Sequence, residues 1–249
     1  MMPLPQLPPI PGIFITGTDT DVGKTWVAAG LTAALKDRGL NAVYFKPIQS
    51  GCPLKEGRLI PTDARLARDV AGLTEPLEVL TPISLELSLA PGVAAAQAGV
   101  EVDLERIAAG FRDLASRYEF LVVEGAGGLY VPLMGTQFLV LDLIRWLGLP
   151  LAVVAKSGLG TINHTVLTVK AALAAKIPVI GVILNRYPEK PGLAEETNPG
   201  VIVTLTGVPI LGRLPEVPDL EEATGRQVFL EALRPIAEQL IMNYGTEHK

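Results

Sequence analysis

The sequence predicts an α/β fold: a doubly wound, mainly parallel sheet with helices on both faces. Three observations carry this. Short apolar runs alternate with longer segments of helical periodicity. The runs are apolar almost throughout rather than at every second position, as in strands covered on both sides. Each run ends in a polar or glycine-rich turn, where open sheets of this kind bind ligands.

Strands are expected at 13–16, 42–45, 120–124, 151–155, 179–184 and, briefly, near 210–211. Helices are expected at about 24–38, 63–71, 104–118, 139–147, 161–176 and 221–240. The clearest is "DLERIAAGFRDLASRY", whose Leu104, Ile107, Ala108, Phe111, Leu114, Ala115 and Tyr118 form one apolar stripe behind an N-cap at Asp103. There is no tandem repeat and no linker that divides the chain. One domain over 12–249 is expected, preceded by a Pro-rich arm, "MMPLPQLPPIP" (1–11).

Composition narrows the function. The 249 residues carry a net charge of −5 with scattered Lys and Arg, which argues against a nucleic-acid surface. No apolar run reaches the ~20 residues of a membrane span, and the Pro-rich start lacks the basic and apolar regions of a signal peptide. The single cysteine, Cys52, allows no internal disulfide. His164 and His248 are too few for a Cys/His zinc cluster. The expectation is a cytoplasmic protein acting on small molecules.

The most informative stretch is "GTDTDVGKT", between the first strand and the first helix. A loop in this setting turns backbone N–H groups inward, and the helix start adds partial positive charge, so a polyphosphate is held largely by main chain. In such a P-loop Lys24 reaches the β- and γ-phosphates and the Thr25 hydroxyl serves Mg²⁺. The match to G-x-x-x-x-G-K-[ST] is a variant: Thr18 stands where the first glycine belongs, and Gly17 comes one residue early. A P-loop also needs an acid at the end of a neighbouring strand. "FLVVEG" offers Glu124 there, followed by "GAGG", which lets backbone approach a ligand.

Three other features have two readings. Lys46 ends the second strand in "KPIQSG", either as a solvated terminus or as a cation beside developing negative charge, with Ser50 four residues on. Asp63 opens a helix, either as a helix-dipole contact or as a second metal carboxylate. "GLGTIN" approaches a dinucleotide fingerprint, but Asn163 replaces the third glycine and no acid ends the next strand, which rejects NAD. The helix start near Thr161 is then either a second anion site or an ordinary connection.

Together and in this order, "GTDTDVGKT", "KPIQSG", "TDARLA", "VEGAGGLYVPL", "KSGLGTINH" and "VILNR" resemble the dethiobiotin synthetase family, P-loop cyclo-ligases of biotin biosynthesis. The resemblance runs from Gly12 to about Gly225 and includes the variant loop spacing. It implies that 7,8-diaminononanoate and CO₂ form a carbamate, that ATP converts it to a carbamic–phosphoric anhydride, and that the second amine closes the cyclic urea.

It also implies roles. Asp21, Val22, Gly23, Lys24, Thr25 and Trp26 would wrap the ATP phosphates, and Thr25, Asp63 and Glu124 would hold Mg²⁺. Lys24 and Lys46 would be catalytic, and Ser50 would contact the diamine. Glu124, Gly125, Ala126 and Gly127 would line the nucleotide site, with Asn185, Pro215, Glu216 and Val217 at adenine. Leu159, Gly160, Thr161 and Asn163 would take the substrate's distal carboxylate across a homodimer interface. The arm has no counterpart in the family and is expected to be dispensable; Cys52 and His164 are given no role.

Three rivals fit less well. A ParA/MinD-type ATPase usually has an extra lysine early in its loop, where this chain has Thr18, Asp19 and Thr20. A GTPase wants Asn-Lys-x-Asp, and "LNRYPE" lacks both Lys and Asp. A cobyrinate-type amide synthase needs an appended glutaminase domain. The apolar final helix carries too little positive charge for a membrane anchor.

Overall fold

The computed structural model describes residues 4–247; His248 and the first three residues of the arm lie outside the described residues. Six strands form one parallel sheet: β1 (Gly12–Gly17), β2 (Ala42–Phe45), β3 (Phe120–Glu124), β4 (Leu151–Lys156), β5 (Val179–Tyr187) and β6 (Ile210–Pro215). Their spatial order is β6-β5-β4-β1-β3-β2. All of β1, β2 and β3 is buried, which explains their unbroken apolar character. After β1 the chain crosses to one side of the sheet, and after β4 it crosses to the other. Their diverging ends open the crevice expected at such a switch point.

The helices are α1 (Lys24–Lys36), α2 (Thr62–Ala71), a single turn α3 (Leu77–Leu80), α4 (Pro91–Ala98), α5 (Leu104–Arg117), α6 (Val140–Leu147), α7 (Thr161–Ala174), α8 (Leu193–Thr206) and α9 (Ala223–Glu247). The central helix α1 is apolar nearly all round because it is buried nearly all round, between the sheet, α2 and α9. Gly30 permits its close approach to α9, since a Cβ there would lie 2.5 Å from Leu233 Cδ1. Helix α5 starts where expected, with the Asp103 carboxylate accepting from Glu105 N and Arg106 N.

Several elements differ from expectation. The strand near 210–211 extends to Pro215, β5 runs on to Tyr187, and α9 continues to Glu247. Helix α8 occupies a stretch where no element was expected. Pro199 lies inside it and has no N–H to give the carbonyl of Glu195, but the Tyr187 hydroxyl donates to that carbonyl at 2.8 Å.

The arm touches the domain. Trp146 Nε1 donates to Pro5 O at 2.8 Å, Arg112 Nε donates to Gln6 O at 3.0 Å, and Leu7 and Ile10 pack on the core. Deleting residues 1–10 is therefore expected to cost about 2 kcal/mol, a melting-point drop of roughly 4–8 °C, with kcat unchanged. Thermal melts and initial rates of the truncated chain check this.

Candidate active site

Register builds the site. In parallel strands, paired residues face the same side, and Tyr44 pairs with Val122 and Phe45 with Val123. Lys46, one step beyond β2, therefore falls beside Glu124, the last residue of β3. Ile15 of β1 pairs with Glu124 from the other flank, which brings the loop after β1 over the same spot.

Glu124 is the hub. Its Oε1 accepts from Thr25 Oγ1 and from Lys46 Nζ, both at 2.9 Å, and its Oε2 accepts from the Tyr44 hydroxyl at 2.6 Å. The Lys46 ammonium also donates to Asp63 Oδ2 at the start of α2. Asp63 is aimed by Gln49, whose Oε1 accepts from Asp63 N at 3.1 Å and whose Nε2 donates to Thr62 Oγ1 at 2.9 Å.

Burial alone would lower the pKa of Lys46, but Glu124 and Asp63 outweigh it and push the ammonium up to about 12. Lys24 goes the other way: burial pulls it down and the more distant Glu124 only partly offsets this. Burial, reinforced by the charges of Glu124 and Asp63, holds the Tyr44 phenol well above its ordinary value, so it stays a donor.

The phosphate loop is held from behind. Thr18 N donates to Val154 O at 3.0 Å, and Lys24 Nζ donates back to Asp19 O at 2.8 Å, so the lysine fills its own loop. Asn185 Nδ2 donates to Val22 O at 2.8 Å from β5. Gly23 has φ 94°, and a Cβ on it would lie 2.1 Å from Asn185 Nδ2. Only glycine satisfies both conditions.

A cavity of about 1260 Å³ lies over these groups. It is lined by Asp21, Gly23, Lys24, Thr25, Trp26, Lys46, Ser50, Asp63, Glu124, Ala126 and Gly127 of the residues singled out from sequence. Val22 turns into the protein, and Gly125 packs on the Phe14 ring. Asn185 sits behind the loop rather than on the cavity wall, and its buried Oδ1 has no partner. Pro215, Glu216 and Val217 also stand outside the wall, as do Leu159, Gly160, Thr161 and Asn163 at the start of α7. Leu159 there is 94% exposed.

Sequence reasoning missed Tyr44, Gln49, Arg65, Arg186 and Arg226. Arg65 could have been found, two residues after Asp63 on the helix that carries it. Arg226 sits in the cavity wall only because α9 returns to the strand tips, and no local signal marks it.

A phosphate loop between β1 and α1, with a strand-end carboxylate and lysine beside it on a parallel sheet, defines a nucleotide-binding P-loop protein. Solved structures agree on that fold. A chain of the Aquifex aeolicus MinC:MinD cell division protein complex aligns over 93% of this chain and 96% of its own, with TM-score 0.55 and 18% identity. The Pyrococcus furiosus cell division ATPase MinD covers 94% and 99%, with TM-score 0.53 and 19% identity. Identity this low speaks for fold alone.

An AAA-domain family model matches residues 11–224. The ATP-dependent dethiobiotin synthetase BioD of Thermodesulfovibrio yellowstonii is 44% identical over 218 residues, 85% of this chain and 91% of that protein. The Anaeromyxobacter dehalogenans protein of the same name is 45% identical over 209 residues, covering 84% and 92%. That of Bacillus subtilis is 41% identical over 214 residues, covering 86% and 90%. The chain belongs to the ATP-dependent dethiobiotin synthetase family.

Proposed function

We propose that this chain closes the cyclic urea of dethiobiotin from 7,8-diaminononanoate, CO₂ and ATP. The observation that carries the reading is Lys46, a buried ammonium between Asp63 and Glu124 at the mouth of the phosphate loop. One amine and CO₂ give a carbamate. The γ-phosphoryl group passes to a carbamate oxygen, making a mixed anhydride. The second amine attacks its carbon, phosphate leaves, and ADP and a cyclic urea remain. Lys24 and Lys46 supply positive charge where the carbamate and transferring phosphoryl group meet. Ring closure is intramolecular, so the cavity need only orient two amines and exclude water.

The residues fit Mg²⁺. Asp63, Glu124 and Thr25 present hard oxygens, and Lys46 shows that a cation is stable between the two carboxylates. No group of three or more His, Cys, Asp or Glu side chains able to hold a metal lies among the described residues. Mg²⁺ accepts such a sparse site, taking one or two carboxylates and completing its shell with phosphate oxygens and water. When bound it neutralises charge on the β- and γ-phosphates. Asn185 Oδ1, buried behind the loop and unpaired, would accept from adenine's amino group only if the loop shifts to uncover it.

The exposed start of α7 supports a homodimer, with Leu159, Gly160 and Asn163 offered to a partner's substrate. Among the described residues no helix is long and apolar enough to cross a membrane, and a cytoplasmic setting follows from the substrates.

The test supplies ATP, Mg²⁺, bicarbonate and 7,8-diaminononanoate, and measures dethiobiotin and phosphate. Equal yields are expected. ATP hydrolysis stimulated by DNA or lipid, with no dethiobiotin formed, would overturn the reading.

A further inference from the structure

The sheet face that carries Glu124 also carries a polar group with no place in the reaction described so far. Tyr44 is among the largest side chains with no exposed surface, on a strand whose other members, Ala42, Val43 and Phe45, are apolar. A buried phenol needs a partner, and among the atoms near it this one has chosen a carboxylate. Its hydroxyl donates to Glu124 Oε2 at 2.6 Å, the length of a charge-assisted O–H···O⁻ bond. The partition is clean: Oε2 faces Tyr44, and Oε1 faces Thr25 and Lys46.

We propose that Tyr44 is a positioning residue, which fixes the rotation of the Glu124 carboxylate so that only Oε1 is presented to the metal and to Lys46. This rests on the reading of Glu124 as a metal ligand. The terminal torsion of a glutamate is broad and two-fold, so packing alone does not set which oxygen points where. Mg²⁺ demands near-ideal octahedral geometry, which a carboxylate turned edge-on, with both oxygens offered, does not meet. A donor locked in the core removes that freedom, as partners behind metal ligands do elsewhere. The oxygen of Tyr44 touches neither the cavity nor any group expected to react.

Tyr44→Phe deletes one oxygen and keeps the ring. Mn²⁺ binding in the presence of ADP, followed by electron paramagnetic resonance, needs no turnover. The variant is expected to bind Mn²⁺ roughly tenfold more weakly. ADP affinity without metal and KM for the diamine should stay within twofold. Replacing Tyr44 by 4-aminophenylalanine, which keeps an N–H donor at the para position of the ring, should recover most of the loss, and it serves as the second test if the Phe variant fails to fold. Val122→Ala, which disturbs packing on the same face without touching the carboxylate, should lower the melting temperature and leave Mn²⁺ affinity alone.

A folded Tyr44→Phe protein with native Mn²⁺ affinity would overturn the proposal, and so would an equal loss in Val122→Ala. Failure of the native protein itself to bind Mn²⁺ with ADP would instead overturn the metal reading on which the proposal stands.

Discussion

Lys46→Gln is expected to lower kcat by about 10³-fold or more while ATP affinity stays within a few-fold of native. The split follows from position. In the proposed site the loop and Lys24 would cradle the ATP phosphates, whereas Lys46 comes from another strand, beside Glu124, and would meet them only at the transferring end. On that reading its charge would act where negative charge builds up during transfer, so its removal should be felt in kcat. A parallel fall in ATP affinity and kcat would place Lys46 in ground-state binding and sink the assignment.

The same variant has a second signature. Lys46 is the shared partner of Asp63 and Glu124, and without it two neighbouring carboxylates, one of them 1% exposed, lose their cation. Breaking a buried pair on one side is costly, about 3–5 kcal/mol. The apo variant should melt well below the native protein, and Mg²⁺ with ADP should restore more of that loss than it adds to native. The pH dependence has a fixed sign. A lysine raised from 10.5 to about 12 contributes stability that is complete below pH 10.5 and lost as pH climbs through about 12. The gap in melting temperature between native and variant should stay constant from pH 7 to about 10 and narrow above that.

The main parts of this site are legible in the sequence because they are local. Lys46 and Glu124 each follow four apolar strand residues. Once both strands are parallel and adjacent, parity alone puts the two side chains on one face. The loop announces itself by the strand before it and the helix after it. What escaped depends on distant partners. Tyr44 reads as strand filling until the fold sets Glu124 beside it. Helix α8 is hidden by Pro199, a helix breaker in sequence, whose missing donor is replaced by the hydroxyl of Tyr187. The arm reads as loose because its anchors, Trp146 and Arg112, lie more than 100 residues away along the chain. Asn185 was expected at adenine, after a strand ending at 184; that β5 carries it inward to grip Val22, across 163 residues, was not legible.

That grip makes Gly23→Ala the other large effect. An alanine at φ 94° is strained by about 1–2 kcal/mol before it meets anything. Its Cβ then meets Asn185 Nδ2 at 2.1 Å, which forces one of them to move. Asn185 is buried and cannot swing without releasing Val22 O, leaving a second unpaired polar group beside an Oδ1 that already lacks a partner, at about 1–3 kcal/mol. The loop itself is therefore expected to give way, and its N–H groups no longer converge on phosphate. ATP affinity should fall by at least about 100-fold, equivalent to roughly 2.7 kcal/mol. A double-mutant cycle separates the two causes. Asn185→Ala removes the obstacle but not the strained backbone, so with tripolyphosphate as the probe, which has no adenine for Asn185 to meet, the double variant should bind more tightly than Gly23→Ala alone yet well below native. A coupling of about 1 kcal/mol or more is expected between the sites. If the effects of the two substitutions simply add, the contact between strand and loop carries no energy and the loop is shaped by its glycine alone.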